Sequence, residues 1–195
     1  MKNQTPSRGG ALPVLCVMSA LLFSVASLLA APKDKDRGQL SPTDYEFACT
    51  AATGSQFEVE AGRLAMLKAV LPAVRQFGEQ MISDHNKVGD ALKAIAVNRG
   101  AVLPAGLTDK QQKELDRLSQ LARPDFDKEY TDLMLEDHKK DLKEFQQGVK
   151  KVHDPELKLF ATETSRIIEQ HLAMVTSLRE ETKPEVKAEK RGARR

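Results

Sequence analysis

Three of the four histidines in this sequence stand where a leucine would be expected. His85 falls in the series Val74, Phe77, Met81, His85, Val88, Leu92, Ile95. His138 falls in Phe126, Tyr130, Met134, His138, Leu142, Phe145, Val149, and His171 in Leu157, Phe160, Thr164, Ile167, His171, Met174, Leu178. Steps of three and four residues mark one face of a helix. An imidazole buried among Leu and Ile costs free energy unless it has a partner, so each of the three calls for an explanation. His153, beside Asp154 and Pro155, reads instead as a solvated turn residue.

Counting along the chain supplies the partner. His85 lies 13 residues after Pro72 and Glu58 lies 14 before it. Across a tight antiparallel turn, both then sit roughly 20 Å from the bend, at about 1.5 Å per residue. His138 precedes Pro155 by 17 residues and His171 follows it by 16, so these two share a level as well. His85 is also central by the count to Gly100, which brings both pairs to the waist of one bundle. Glu58 is flanked by Ala51, Gly54, Ala61, Gly62 and Ala65, small residues that let helices approach closely; Glu60 points about 200° away around the helix.

One carboxylate and three imidazoles converging from four helices can bind a transition metal, with Glu58, His85, His138 and His171 as ligands. Zinc, iron, manganese and copper all accept such donors. The ordinary alternative is a buried polar network in which Glu58 hydrogen-bonds the imidazoles and fixes helix register. Asp84 and Asp137 each precede a histidine and are either acceptors that orient a neighbouring imidazole or solvated acids. Met81 and Met134, one turn before His85 and His138, and Met174, three after His171, would add the soft donors that suit copper. Methionine is equally a common gap-filler in helical cores.

The elements that must position these residues follow from period and punctuation. A first helix starts after a cap at Ser41 or Thr43 and presents Phe47, Ala51, Phe57, Ala61, Leu64 and Leu67. Pro72 ends it and opens the second helix, which stops at Gly100. The long connection to residue 123 is broken by Pro104 and Gly106, and carries a short helix capped by Thr108 with Leu115, Leu118 and Leu121. Pro124 resets the chain for the third helix. Gly148, His153, Asp154 and Pro155 mark a tight turn before the fourth. The expected fold class is all-α: a ferritin-like four-helix bundle with a short extra helix in the long connection. Crossover and up-down-up-down topologies both remain open.

Composition agrees. The 195 residues are 41% hydrophobic and 30% charged, with no Trp, enough for a core and too apolar for wholesale disorder. Residues 1–31 read as a secretory signal: Lys2 and Arg8, an apolar stretch from Ala11, and small residues before a charged run. Residues 32–43 read as a linker, 44–179 as the bundle and 180–195 as a charged, solvated tail. The expected location is the periplasm or another envelope compartment. The 30 basic groups less Lys2 and Arg8 leave 28 against 28 acidic, so the mature chain is neutral and has no footprint for nucleic acid. Loss of the signal leaves Cys49 alone, either a small buried group or a link between two chains in a homo-oligomer. Membrane association would come only through an uncleaved N-terminal segment. No Gly-rich phosphate loop, CxxC, HExxH or Ser/His/Asp pattern points to catalysis, and no small-molecule substrate can be read.

The segments Glu58-Val59-Glu60-Ala61-Gly62-Arg63-Leu64-Ala65, Met81-Ile82-Ser83-Asp84-His85, Phe126-Asp127-Lys128-Glu129-Tyr130 and His171-Leu172 resemble an exported bacterial ferritin-like family, domain of unknown function 4142. The resemblance covers residues 41–178 and implies a bundle fold and an envelope location, without an established activity. Members often carry an outer-membrane label, yet nothing here reads as the alternating strands of a barrel. Di-iron ferritin-like proteins use Glu-x-x-His on two helices. The residues three before the histidines here are Ile82, Leu135 and Ile168, which favours a mononuclear site. Three functions are therefore weighed: a metal-binding bundle in metal handling or stress protection, a structural or interaction module with a buried His/Glu network, and a redox enzyme using the same site.

Overall fold

A computed structural model describes residues 38–183 as five helices. They are α1 (Pro42–Lys68), α2 (Pro72–Asn98), α3 (Asp109–Gln120), α4 (Arg123–Lys151) and α5 (Pro155–Glu181). The expected signal at 1–31, most of the linker and the tail beyond 183 lie outside the described residues. α1 begins at Pro42 and α5 runs to Glu181, two residues past the expected bundle limits at each end. Ser41 causes the early start: its hydroxyl accepts from Asp44 N at 3.1 Å, and Pro42 pre-sets the first helical turn. Gly100 has φ +64° and closes α2, while Thr108 and Gln111 form a capping box on α3.

Contacts at the helix ends fix the topology. Asp44, at the start of α1, accepts from His153 N (2.8 Å) and Asp154 N (3.2 Å) in the α4–α5 turn. Arg99, which caps the end of α2, pairs with Asp154 at 2.6 Å. At the opposite end Asp127, near the start of α4, accepts from Val70 N at 3.0 Å and Leu71 N at 2.7 Å in the α1–α2 turn. Hence α1 and α5 run one way and α2 and α4 the other, and the connection through α3 travels the length of the bundle. This is the crossover, ferritin-like arrangement, with α1, α2, α5 and α4 as successive neighbours round the square. α3 lies against α1 and α4 and buries Leu115 and Leu118.

Three glycines, Gly62, Gly78 and Gly148, permit close approach. A Cβ at Gly62 would stand 2.6 Å from Gly78 O, so α1 and α2 touch backbone to backbone there. Gly148 corrects the sequence reading. It is interior to α4 rather than part of a turn, and its missing side chain admits the Phe47 ring, which a Cβ would meet at 2.5 Å.

The apolar core divides in two. One cluster, toward the α1–α2 turn, contains Phe57, Ala61, Ala65, Phe77, Met81, Phe126, Tyr130, Met134 and Val175. The other, toward the α4–α5 turn, contains Phe47, Ala51, Val88, Leu92, Phe145, Phe160 and Ile168. On α2, α4 and α5 the residue between the two clusters is a histidine.

Candidate metal centre

Each long helix delivers one polar side chain to the layer between the cores. Glu58, His85, His138 and His171 are all buried there. His85 Nδ1 lies 2.8 Å from Glu58 Oε2, and His138 Nε2 lies 3.4 Å from Glu58 Oε1. Ring centroids of His171 are 5.4 Å from those of both His85 and His138, which are 6.1 Å from each other. One nitrogen of each ring lies within 4.8 Å of the other two. Phe77 packs on this layer from the first core, with its ring 6.2 Å from His138 and 6.3 Å from His171.

Hydrogen bonds define where the lone pairs point. His138 Nδ1 meets Met134 O at 2.8 Å. A carbonyl only accepts, so Nδ1 carries the proton and Nε2 keeps its lone pair toward Glu58. His171 Nε2 meets Asp84 Oδ2 at 3.1 Å. Partial burial pushes the Asp84 carboxyl up, but hydrogen bonds from His171, Gln80 and Lys87 outweigh this and hold it well below the usual carboxylate range. Asp84 is thus ionised, Nε2 donates to it, and His171 Nδ1 is left as a free acceptor.

The centre remains unsatisfied. Glu58 Oε1, His138 Nε2, His171 Nδ1 and both nitrogens of His85 are buried without a hydrogen-bond partner among the described residues. The 2.8 Å contact of His85 Nδ1 with Glu58 Oε2 is not aligned as an N–H donor bond. Burial pushes Glu58 up to about 8 and drives His85 and His138 down to about 4, with His171 also lowered. Without a cation the layer therefore prefers neutral rings and a protonated acid. A lone pair and a carboxylate oxygen at 3.4 Å need a proton or a metal ion between them. Three imidazole nitrogens and a carboxylate are a donor set for zinc and its neighbours, and two of the rings are oriented by outer acceptors in the manner of metal-bound histidines.

Other sequence expectations divide. Asp84 orients a neighbouring helix's imidazole, as weighed. Asp137 lies instead with Glu58 and Asp141. His153 is solvated, with 78% of its side chain exposed. Met81 and Met134 are buried in the first core, and Met174 is 39% exposed, so the methionines pack as core and surface residues. Cys49 is a half-buried free thiol. Sequence reasoning missed two groups. Asp141, three residues after His138 and so on the same side of α4, is pushed up to about 9 by burial, with Glu58 and Asp137 adding to the shift. The Tyr130 hydroxyl is buried and unpartnered; burial and then Glu58 hold its pKa above the ordinary tyrosine value.

The protein is thus of the ferritin-like helical class, with a His/Glu layer at its waist. It belongs to the family described as domain of unknown function (DUF4142), which matches residues 29–178. Among solved structures it is similar to the crystal structure of a DUF305 fragment from Deinococcus radiodurans, with a TM-score of 0.66 at 10% identity, over 73% of this chain and 99% of that one. At that identity the likeness speaks for the fold alone. No curated protein matches the sequence.

Proposed function

We propose that this protein is an exported bundle that holds one transition metal ion through His85, His138, His171 and Glu58, in metal handling or stress protection at the cell envelope. The observation that carries the reading is a layer of buried, unpartnered donor atoms in which one nitrogen of each ring lies within 4.8 Å of the other two, with His138 and His171 tied from behind by Met134 O and Asp84. A network built only for packing would close its own hydrogen bonds, because each buried polar atom left open costs about 1–3 kcal/mol. A cation in the layer would take one nitrogen from each ring together with a Glu58 oxygen. The N-terminal pattern of residues 1–31 supports export.

Protein purified from its native compartment, stripped with a chelator and titrated with zinc tests the reading. One equivalent should enter the histidine layer and raise the melting temperature. His138→Ala should lose this and His153→Ala should keep it. Uptake below roughly a tenth of an equivalent, with no thermal stabilisation, removes the proposal.

A further inference from the structure

The histidine layer leaves a second group of donors beside it. One carboxylate oxygen each from Glu58, Asp137 and Asp141 lies within 4.8 Å of the other two. Crowded acids alone are commonplace; two further observations distinguish these. Glu58 is only 2% exposed, and its Oε1, which stands 3.4 Å from His138 Nε2, has no hydrogen-bond partner. A cavity of about 10 Å³, roughly the room one water needs, is lined by Glu58, Asp141, His85 and a further carboxylate, Glu144, with Asp137 outside its lining. His85 is 3% exposed and neither of its ring nitrogens is hydrogen-bonded. Gly54 on α1 faces Asp141: a Cβ there would stand 3.9 Å from Asp141 Oδ2, an ordinary contact distance.

We propose that Glu58, Asp137 and Asp141 form a second cation site, taking a hard divalent ion such as Mn²⁺ beside the histidine-held metal, with Glu58 bridging the two. Carboxylate oxygens suit Mg²⁺, Ca²⁺ and Mn²⁺, whereas the imidazoles select the borderline metals. A carboxylate has two oxygens, so Glu58 can serve both groups. Lys140 Nζ is 3.9 Å from Asp141 Oδ1, but its side chain is 68% exposed. His85 and Ser55 line both this cavity and a groove of about 840 Å³ between α1, α2 and residues 101–107. A cation in the groove is therefore one side-chain layer away. Only the bridge rests on the histidine reading; Asp137 and Asp141 belong to the oxygen site alone.

The test loads stripped protein with one equivalent of Zn²⁺ and titrates it with Mn²⁺, reading free ion by its EPR signal. One further equivalent should bind. Asp137→Asn and Asp141→Asn should each weaken Mn²⁺ roughly tenfold or more while keeping zinc and the helical circular dichroism signal. Failure of the wild type to bind Mn²⁺, or undiminished binding by both Asn variants, overturns the site. His171→Ala separates the two readings: it should lose zinc and retain Mn²⁺. Wild type that takes Mn²⁺ but no zinc keeps this site and refutes the histidine one; zinc without Mn²⁺ does the reverse. A check without variants puts Cu²⁺ in the histidine layer. Added Mn²⁺ should broaden and diminish the copper signal, and an unchanged signal overturns the bridge.

Discussion

Raising the pH of the metal-free protein from 6.5 to 8 should destabilise it by roughly 4 kcal/mol. Folding lifts the Glu58 carboxyl from 4.5 to about 8 and that of Asp141 from 3.8 to about 9, in both cases chiefly by burial. Above pH 6.5 the unfolded chain has both groups ionised, whereas the folded protein still holds their protons. The folded state thus binds more protons, and stability falls as pH rises toward the folded values. Two groups over about 1.5 pH units, at about 1.4 kcal/mol per unit each, give the figure above. For a chain of this size that lowers the melting temperature by roughly 8–16 °C. The histidines act on the other side. His85 and His138 fall from 6.5 to about 4, so the stability of their neutral forms is complete above pH 6.5 and is lost as pH drops through 4. Melting followed by circular dichroism in a chelator, at half-unit pH steps, measures both limbs. Zinc should flatten the upper limb, because the cation replaces the protons as the charge that compensates the acids. A melting temperature that is level or rising between pH 6.5 and 8 without metal would refute the buried-acid argument.

Further outcomes follow from single contacts. Asp84→Asn removes the charge behind His171 Nε2 and should weaken zinc by about 10–100-fold with little change in metal-free stability, read by competition titration. Asp127→Ala orphans the N–H groups of Val70 and Leu71 and should cost about 2–4 kcal/mol in urea unfolding; a loss under about 1 kcal/mol would mean that water replaces the carboxylate. Gly78→Ala places a Cβ 2.7 Å from that of Ala65 and should destabilise by about 1–3 kcal/mol by prising α1 from α2. Joint replacement of Glu58 by Met and of His85, His138 and His171 by Leu should leave the metal-free protein as stable or up to about 4 kcal/mol more stable in urea, whereas a clear loss would identify the layer as a satisfied network.

Helical period and distance from two prolines were enough to bring Glu58, His85, His138 and His171 to one level, because both are properties of a single hairpin. What escaped the sequence depends on contacts between hairpins. The crossover is set by Asp44 reaching His153 and Asp127 reaching Val70, and nothing local distinguishes these acids from first-turn acids placed for the helix dipole. Asp141 carries no local signal of its burial, which depends on α1 presenting Gly54 opposite it. Gly148 reads as a turn because its real partner, Phe47, lies a hundred residues away. Leu67 was assigned to the buried face of α1 but is 71% exposed near the end of the helix, where Ala65 and Ala69 make the inward contacts instead.

The same end contacts bear on why the waist is polar at all. A buried His/Glu network earns a structural explanation when it sets register, as a single buried polar residue does in some coiled coils. Here register between the hairpins is already specified at both ends. Asp44 takes two backbone N–H groups of one turn, Asp127 takes two of the other, and Arg99 with Asp154 ties α2 to α5. Sliding one hairpin by a residue would break all of these contacts. The layer between the two cores is therefore redundant as a register device, and it is left with open donor atoms that a register device would have closed. The ligand proposed for the layer would take up those atoms, which is why the fourfold apolar replacement separates the two readings.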